Sequence, residues 1–515
     1  MLQWQTDGEP TELFLSSSPS APTTQHFFQV LSRVAVALQC LPGYGKMLEY
    51  TLHSAFTAPE VLLNMESAKS LCKKLLNFKN TVITGCEFYT DTDNVNHIRI
   101  QARPDKRHEN KCPYCRNRCP GYDSRCGKPR IWRGLDWGST LVEIEYQTHR
   151  IECPEHGVVV ADVPWAYPGS GFTKDFDLTV AWFAVHLPRS VVAEYFRVDW
   201  ETVGRCVSRT RDIIEPEISH RLDNLVNIGI DETSYKKGHK YITVIVNHDT
   251  NTVVWVAIGH GKSVLEQFYR QLTEEQRASI KVVTGDGAKW ITECVNEFTP
   301  DCVRCVDQFH VVQWAMDTLD EVRRESWRDA YAQVKELKKA NPRNPGRPKE
   351  NDPATQEIRE AAERADKIKN SSYALGKAPE HLTEKQKIRV EMISKTDKRL
   401  YRAYCLKESL RLLLKLKDPD EAEVELKHWL WRASHSRIPA VYELYKKMKR
   451  HKDHILNAIR LGMSNARIEA TNNKIKLVIR KAYGFRNTQN LIDMVYLVCS
   501  DLRIPLPNRK STPGL

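Results

Sequence analysis

The stretch Asn227-Ile-Gly-Ile-Asp231-Glu-Thr marks a change of pattern in the chain. It is a short apolar run that closes on carboxylates. Two further β-branched runs follow, Tyr241-Ile-Thr-Val-Ile-Val and Thr252-Val-Val-Trp-Val-Ala, joined by the turn-rich Asn247-His-Asp-Thr-Asn. Such runs bounded by turn formers read as strands, so the segment predicts a three-stranded meander whose first strand ends at Asp231. A helical pattern from Ser263 then leads into Lys281-Val-Val-Thr-Gly-Asp286, a fourth strand again ending in Asp. After another helix, Asp301-Cys-Val-Arg-Cys-Val-Asp307 makes a fifth.

The order β-β-β-α-β-α-β is the RNase H-like layout. In it the first and fourth strands are neighbours, so Asp231 and Asp286 are expected to face one another. An Asp after a buried strand is often only a cap or turn former, but two in these particular strands point to a shared site. A third carboxylate is expected on a helix packed against the sheet. In Ser464-Asn465-Ala-Arg-Ile-Glu469-Ala-Thr-Asn472-Asn473-Lys-Ile-Lys476-Leu-Val-Ile-Arg480, the helical repeat places Asn465, Glu469, Asn472 and Lys476 on one face and Ile468, Ile475 and Ile479 on another. Amides and cations beside a carboxylate suit metal on one side and DNA phosphate on the other, which makes Asn472, Asn473, Lys476 and Arg480 candidate DNA contacts. Two Asp and one Glu are the hard oxygen ligands of a two-metal phosphoryl-transfer site, with Mg2+ expected and Mn2+ able to substitute.

The rest of the chain frames this core. Its 515 residues are enough for roughly three domains, and 77 Lys+Arg against 65 Asp+Glu give a formal net charge of +12. That balance favours a polyanionic partner, nucleic acid before an acidic membrane surface. No run approaches the ~20 apolar residues of a membrane span, and the N-terminus lacks the basic region of a signal peptide. The 14 cysteines therefore read as metal ligands or core residues of a reducing cytoplasm rather than as disulfides.

Cys112-Pro-Tyr-Cys115 is followed, after an alternating segment at 141–151, by Cys153-Pro-Glu-His156. Two such knuckles separated by a hairpin's length of chain match a structural Zn2+ site with ligands Cys112, Cys115, Cys153 and His156. Cys119 and Cys126 remain over, as substitute ligands or as packing beneath the hairpin. Residues 174–213 then read as helix, turn, helix, the last capped by Asp199 and carrying Arg205, Arg209 and Arg211 where a recognition helix meets phosphates or bases; a small helical bundle with a basic face is the bland alternative.

The expected organisation is multi-domain α+β and α/β. A leader at 1–64, weakly periodic and rich in Ser, Pro and Thr, precedes Met65, which is itself a candidate start. A β unit with the zinc site follows at 65–168, then a helix-turn-helix at 169–222. The RNase H-like core at 223–320 and 456–505 is interrupted by a helical insertion at 321–455. Within that insertion, Asn341-Pro-Arg-Asn-Pro-Gly-Arg-Pro-Lys reads as a linker, and Trp429, Trp431, Arg432, His435 and Arg437 as either an aromatic-basic DNA brace or core packing.

From about 65 to 505 the chain resembles the bacterial insertion-sequence transposases of the ISL-three family. The resemblance rests on the two knuckles, the helix-turn-helix, Ile230-Asp231-Glu, Gly285-Asp286-Gly-Ala-Lys-Trp290, Asp307-Gln-Phe-His310, the Glu469 helix, and Tyr483-Gly-Phe-Arg486-Asn. His156 stands where a Cys is common, and Ala470 where a Gly is common. The resemblance implies a DDE triad of Asp231, Asp286 and Glu469, and N-terminal units that recognise terminal inverted repeats. Asp307 and His310 are implied as auxiliary residues at the strand end. The expected activity is cleavage at the element's ends followed by strand transfer into target DNA, in the bacterial cytoplasm at the nucleoid, by a homodimer or larger synaptic complex. A non-catalytic zinc and helix-turn-helix regulator, and a structure-specific nuclease on the same fold, are the rival functions.

Overall fold

The computed structural model describes residues 65–123, 128–342, 353–463 and 466–508. The expected leader at 1–64, Cys126, Asn465 and all but the first two residues of the 341–349 linker lie outside them.

The first unit begins with α1 (Met65–Leu76) and a sheet of β1 (Thr81–Thr90), β2 (Asn96–Pro104), β3 (Arg130–Arg133) and β4 (Leu141–Tyr146), in the order β1-β2-β4-β3. Its strands alternate as the sequence does: Ile98, Ile100, Val142 and Ile144 are buried together with Trp132 and Trp165. A hairpin of β5 (Arg150–Cys153) and β6 (Gly157–Val160) carries the second knuckle.

Three helices follow, α2 (Lys174–His186), α3 (Arg189–Phe196) and α4 (Trp200–Ile214). The expected cap is present: the Asp199 carboxylate accepts the Thr202 N–H at 2.6 Å, satisfying an N–H that the first turn would otherwise leave unpaired. Between α3 and α4 the chain turns at Arg197, which is left-handed with φ 54°.

The central sheet holds β7 (Asn227–Lys236), β8 (Lys240–Asn247), β9 (Thr252–Ile258), β10 (Val282–Gly285) and β11 (Val303–Val306), in the order β11-β10-β7-β8-β9. The meander is antiparallel, whereas β10 and β11 run parallel to β7. Helices α5 (Lys262–Gln271) and α6 (Glu274–Ser279) precede β10, and α7 (Lys289–Phe298) links β10 to β11. The short α6 is an addition to the expected element order. Strand β8 is buried from Ile242 to Asn247, as a central strand covered on both faces must be. Ile228, Ile230 and Ile245 pack with Leu265 and Phe268 of α5 and Ile291 of α7. On the other face Ile242, Val244 and Val246 share a core with Phe176, Val180 and Val207 of the three-helix unit. That unit is thus built onto the sheet through a common core.

From the end of β11 the chain enters α8 (Gln308–Ala340), a single helix of 33 residues capped by Asp307. The expected boundary of the insertion near Glu321 falls inside it, because the charged helical pattern begins in the core and continues without a break. There follow α9 (Pro353–Lys369), α10 (Ser372–Gly376), α11 (Glu384–Thr396), α12 (Lys398–Leu413), α13 (Pro419–Ser434), α14 (Pro439–Arg450) and α15 (Lys452–Arg460), which bury their apolar stripes with α8 in one core. Trp429 belongs to that core and donates its indole N–H to the Leu406 carbonyl; Trp431 is on the outside, stacked on His435. Helix α15 already rests on β11, with Ala458 packed on Val282 and Cys305 and Asn457 donating to the Arg304 carbonyl, and α16 (Ala466–Lys481) and α17 (Thr488–Cys499) follow on the sheet.

Candidate active site and metal centre

Pairing register brings the acidic residues to one level. In the parallel pair of β7 and β10, Thr284 stands opposite Gly229, so two residues further on Asp286 stands level with Asp231. In the pair of β10 and β11, Gly285 stands opposite Val306, which sets Asp307 beside Asp286. Neighbouring strands lie ~4.8 Å apart, so the three residues form a row across the sheet. Asp231 is not at the end of its strand as the sequence suggested. Strand β7 continues to Lys236 because β8 pairs with it beyond Asp231, whereas its pairing with β10 stops at Gly229. The edge of β7 is therefore open from Asp231 onward on the side of Asp286.

Helix α16 is clamped onto this strand. Asn472 donates its amide to Asp231 Oδ2 at 2.5 Å and accepts the Thr233 hydroxyl at 2.6 Å. Gly229 lets the helix come close, since a Cβ there would lie 2.1 Å from Ile468 Cδ1. Asn472 is only 7% exposed, which corrects its expected place on the open polar face. Two hydrogen bonds offset the burial of its amide. Glu469, Asn473, Lys476 and Arg480 do face outward, with Glu469 one turn before Asn472 along the helix.

Burial raises the Asp231 carboxyl above its ordinary range, opposed by its bond from the Glu232 N–H, by His310 and by Asn472, while the charge of Asp286 raises it further. His310, one turn into α8, approaches Asp307 at 3.8 Å. Both auxiliary residues thus stand at the site. A cation brought between Asp231 and Asp286 would relieve their mutual repulsion and the desolvation of Asp231.

Sequence reasoning missed several groups here. Arg304 on β11 is buried, its pKa lowered to about 10 by desolvation, and it donates to the backbone carbonyls of Asp286 at 2.5 Å and Val283 at 3.3 Å. It ties the Asp286 turn to the sheet. Glu232, also raised mainly by burial, lies within the field of Asp286 and His260, and its Oε1 is buried without a hydrogen-bond partner. Trp314 of α8 packs so tightly on Gly287 that a Cβ there would meet its ring at 2.5 Å, and Lys447 sits 3.9 Å over the same ring. An Arg within an otherwise apolar strand is the signal that could have marked Arg304; the Glu232 and Trp314 contacts have no local signal.

The two knuckles converge. Cys112, Cys115, Cys153 and His156 place their ligand atoms within 4.8 Å of one another. Cys112 Sγ and Cys153 Sγ lie 3.7 and 3.6 Å from His156 Nδ1, and Cys115 Sγ lies 3.6 Å from Cys153 Sγ. Zinc bonds of about 2.3 Å to sulfur and 2.0 Å to nitrogen in a tetrahedron require edges of about 3.5–3.8 Å, so the donor set fits that ion. The His156 bond holds the Cys153 thiol down to about 6, toward the thiolate that a metal requires. Cys119 packs beneath the group with Ile151 and Ala161. Among the described residues this is the one cluster of three or more such ligands that is already gathered; Asp231, Asp286 and Glu469 are not drawn together to that degree.

The arginines of α4 divide. Arg205 has a side chain 61% exposed. Arg209 instead turns inward to the fully buried Asp177, donating at 2.8 and 3.1 Å. Arg211 pairs with Glu215 and lies over the Tyr496 ring. The expected basic face is reduced because α4 packs on both α2 and α17, and two of its cations neutralise internal acids.

Residues 228–495 match a family model described as a transposase, the DDE domain of family ISL3, and residues 161–210 match the helix-turn-helix domain of the same family. The chain belongs to the ISL3 family of transposases. It is 42% identical over 440 residues to the transposase for insertion sequence element IS1557 of Mycobacterium tuberculosis, covering 85% of this chain and 96% of that protein. It is also 26% identical over 302 residues to the transposase for IS1001 of Bordetella parapertussis, covering 58% and 66%. In this ISL3-family chain the helix-turn-helix match ends within α4, and the transposase match runs from β7 to α17, spanning the carboxylate row, the helical insertion and α16. No helix among the described residues is long and apolar enough to cross a membrane.

Proposed function

We propose that the chain is an active DDE transposase with an RNase H-like core, which binds the terminal inverted repeats of its insertion sequence, cleaves the DNA there and joins the freed ends to target DNA. The observation that carries this reading is the level placement of Asp231 and Asp286 on parallel strands, with α16 of Glu469 fastened to the same strand by Asn472. A five-stranded sheet with a meander and two parallel strands, helices on both faces and the third carboxylate on a late helix is what an RNase H-like core requires.

Asp231, Asp286 and Glu469 would hold the divalent ions, Mg2+ by preference for hard oxygen ligands. Two such ions supply activation of the attacking oxygen and stabilisation of the leaving one. The chain's own residues do the rest. Asn472 orients Asp231, and Arg304 fixes the turn that presents Asp286. Lys447 brings positive charge toward a site that must accept phosphate, and His310 stands beside Asp307. Arg205 on α4, and Asn473, Lys476 and Arg480 on the outward face of α16, supply contacts to the DNA backbone, which fix register before chemistry. The first unit would hold a structural Zn2+ on Cys112, Cys115, Cys153 and His156, four protein donors that leave no position for substrate. Action on two ends of one element favours a homodimer or larger assembly, in the bacterial cytoplasm.

The test is cleavage and strand transfer on labelled duplex DNA bearing the element's own terminal repeats, with Mg2+ and with chelator. Metal-dependent nicking at the repeat boundary followed by joined products supports the proposal. Cutting without repeat dependence or joining indicates a nuclease, and binding without cutting under any metal indicates a regulator.

A further inference from the structure

A cavity of about 530 Å3 lies between the helix-turn-helix unit and the core. Its walls come from the start of α3 and α4, the end of β7 and the loop from α16 to α17. The charged side chains lining it are Arg189, Lys236, Lys481 and Arg486, with no carboxylate among the lining residues. Tyr483 and Trp200 supply rings that stand open, Tyr483 at 91% exposure, and the Arg486 guanidinium lies 5.5 Å above the Trp200 ring. Arg189 rests over Phe485, its Nε and Nη2 buried with no hydrogen-bond partner among the described residues.

The loop geometry reinforces this. Two residues past the end of α16, Tyr483 lies in the left-handed region, φ 51°, followed by Gly484 at φ 93°. Such helix ends normally use glycine, and a bulky residue seldom takes that conformation without a functional reason. Here the conformation turns an aromatic ring away from the core and into solvent beside four cations.

We propose that this cavity, built on the Tyr483-Gly-Phe-Arg486 loop, receives an unpaired nucleotide of the DNA strand that passes the carboxylate row, its base stacked on Tyr483 and its phosphate held by Arg486 and Lys481. The proposal rests on the reading that the chain binds DNA ends. Open aromatic faces with flanking cations and no acids are the features that take a base and its phosphate together. A space of about 530 Å3 lies within the roughly 300–1,000 Å3 of pockets that enclose a single small ligand. A single splayed nucleotide is therefore the fitting occupant, not a duplex. Lys236 ends the strand that carries Asp231, and Lys481 ends the helix that carries Glu469, so both elements run from the carboxylate row to the cavity.

The test compares the affinity of the full chain, by fluorescence anisotropy, for terminal-repeat duplex that is fully paired and for the same duplex with a short unpaired extension at the cleavage boundary. Wild type is expected to favour the unpaired extension about tenfold, within the range of one base stacked on an aromatic ring. Tyr483→Ala, a change at an exposed position, abolishes that preference while leaving affinity for paired duplex unchanged. Tyr483→Phe retains the preference and Arg486→Gln reduces it. Equal binding of both DNAs by wild type, or a preference that survives Tyr483→Ala, overturns the proposal. Failure of wild type to bind either DNA has a different signature and removes the DNA-end reading along with it.

Discussion

Gly229 is the residue whose replacement by alanine most sharply probes how the third carboxylate is presented. A Cβ at this position would lie 2.1 Å from Ile468 Cδ1, 2.7 Å from His248 Nε2 and 3.0 Å from Thr284 Oγ1. The Ile468 methyl alone could rotate aside in an open site. Here Ile468 is 1% exposed, and His248 and Thr284 are joined by a buried 2.7 Å hydrogen bond that closes the opposite side. A normal carbon–carbon contact of ~3.5–4 Å demands a retreat of about 1.5 Å, and the backbone of α16 must supply much of it. Overpacking of this kind costs about 1–3 kcal/mol. Glu469 adjoins Ile468 on the helix and moves with it, and a displacement near 1 Å at a phosphoryl-transfer centre can cost ~100-fold in rate. Gly229→Ala is therefore expected to remain folded, with a lowered unfolding midpoint, to bind terminal-repeat DNA normally and to lose about two orders of magnitude in cleavage. Thermal unfolding, anisotropy and single-turnover cleavage measure the three quantities. Cleavage within a few-fold of wild type, in a protein shown to be folded, would refute the claim that close docking of α16 on β7 sets the site.

Other residues give independent checks. Asn472→Leu leaves Asp231 and Thr233 without their partner in a buried place; a loss of ~1–3 kcal/mol in stability and of most cleavage is expected, with DNA affinity retained, as chemical denaturation and binding together will show. Arg209→Gln strips the fully buried Asp177 of its cation, so a cost of ~3–5 kcal/mol is expected in denaturation, whereas Arg205→Gln leaves stability alone and lowers the salt slope of DNA binding by about one unit. Metal analysis of purified protein should find one zinc per chain, lost in Cys112→Ser together with the protease resistance of the first unit; a chain that keeps its fold and its resistance without zinc contradicts the structural role.

Much of this molecule was legible in its sequence, and the reasons differ by region. The β-branched runs from Asn227 to Val306 gave the five strands because buried strands impose that composition, and the spacing of the knuckles gave the metal cluster because its ligands are local. The Asp199 cap was legible for the same reason. What escaped was decided by tertiary contact. Asp231 lies within β7, not at its end, because β8 outlasts β10 as a pairing partner. In a helical projection Asn472 stands on the border of the apolar stripe, one turn from Ile468 and Ile475, and its amide turns inward because Asp231 and Thr233 await it. Arg209 and Arg211 have the same composition as Arg205, and only the packing of α4 against α2 and α17 separates them. The insertion boundary was misplaced because one helix serves both core and insertion, leaving no local break at Glu321.

The most direct measurement is cleavage and strand transfer on terminal-repeat DNA by wild type beside Asp231→Asn, Asp286→Asn and Glu469→Gln, with Mg2+ and with Mn2+, and with DNA affinity recorded for each. These substitutions keep shape and remove charge. All three variants should bind DNA as wild type does and cleave it at least ~100-fold more slowly. Any one of them cutting and joining at a rate near wild type would show that its carboxylate is not part of the catalytic site.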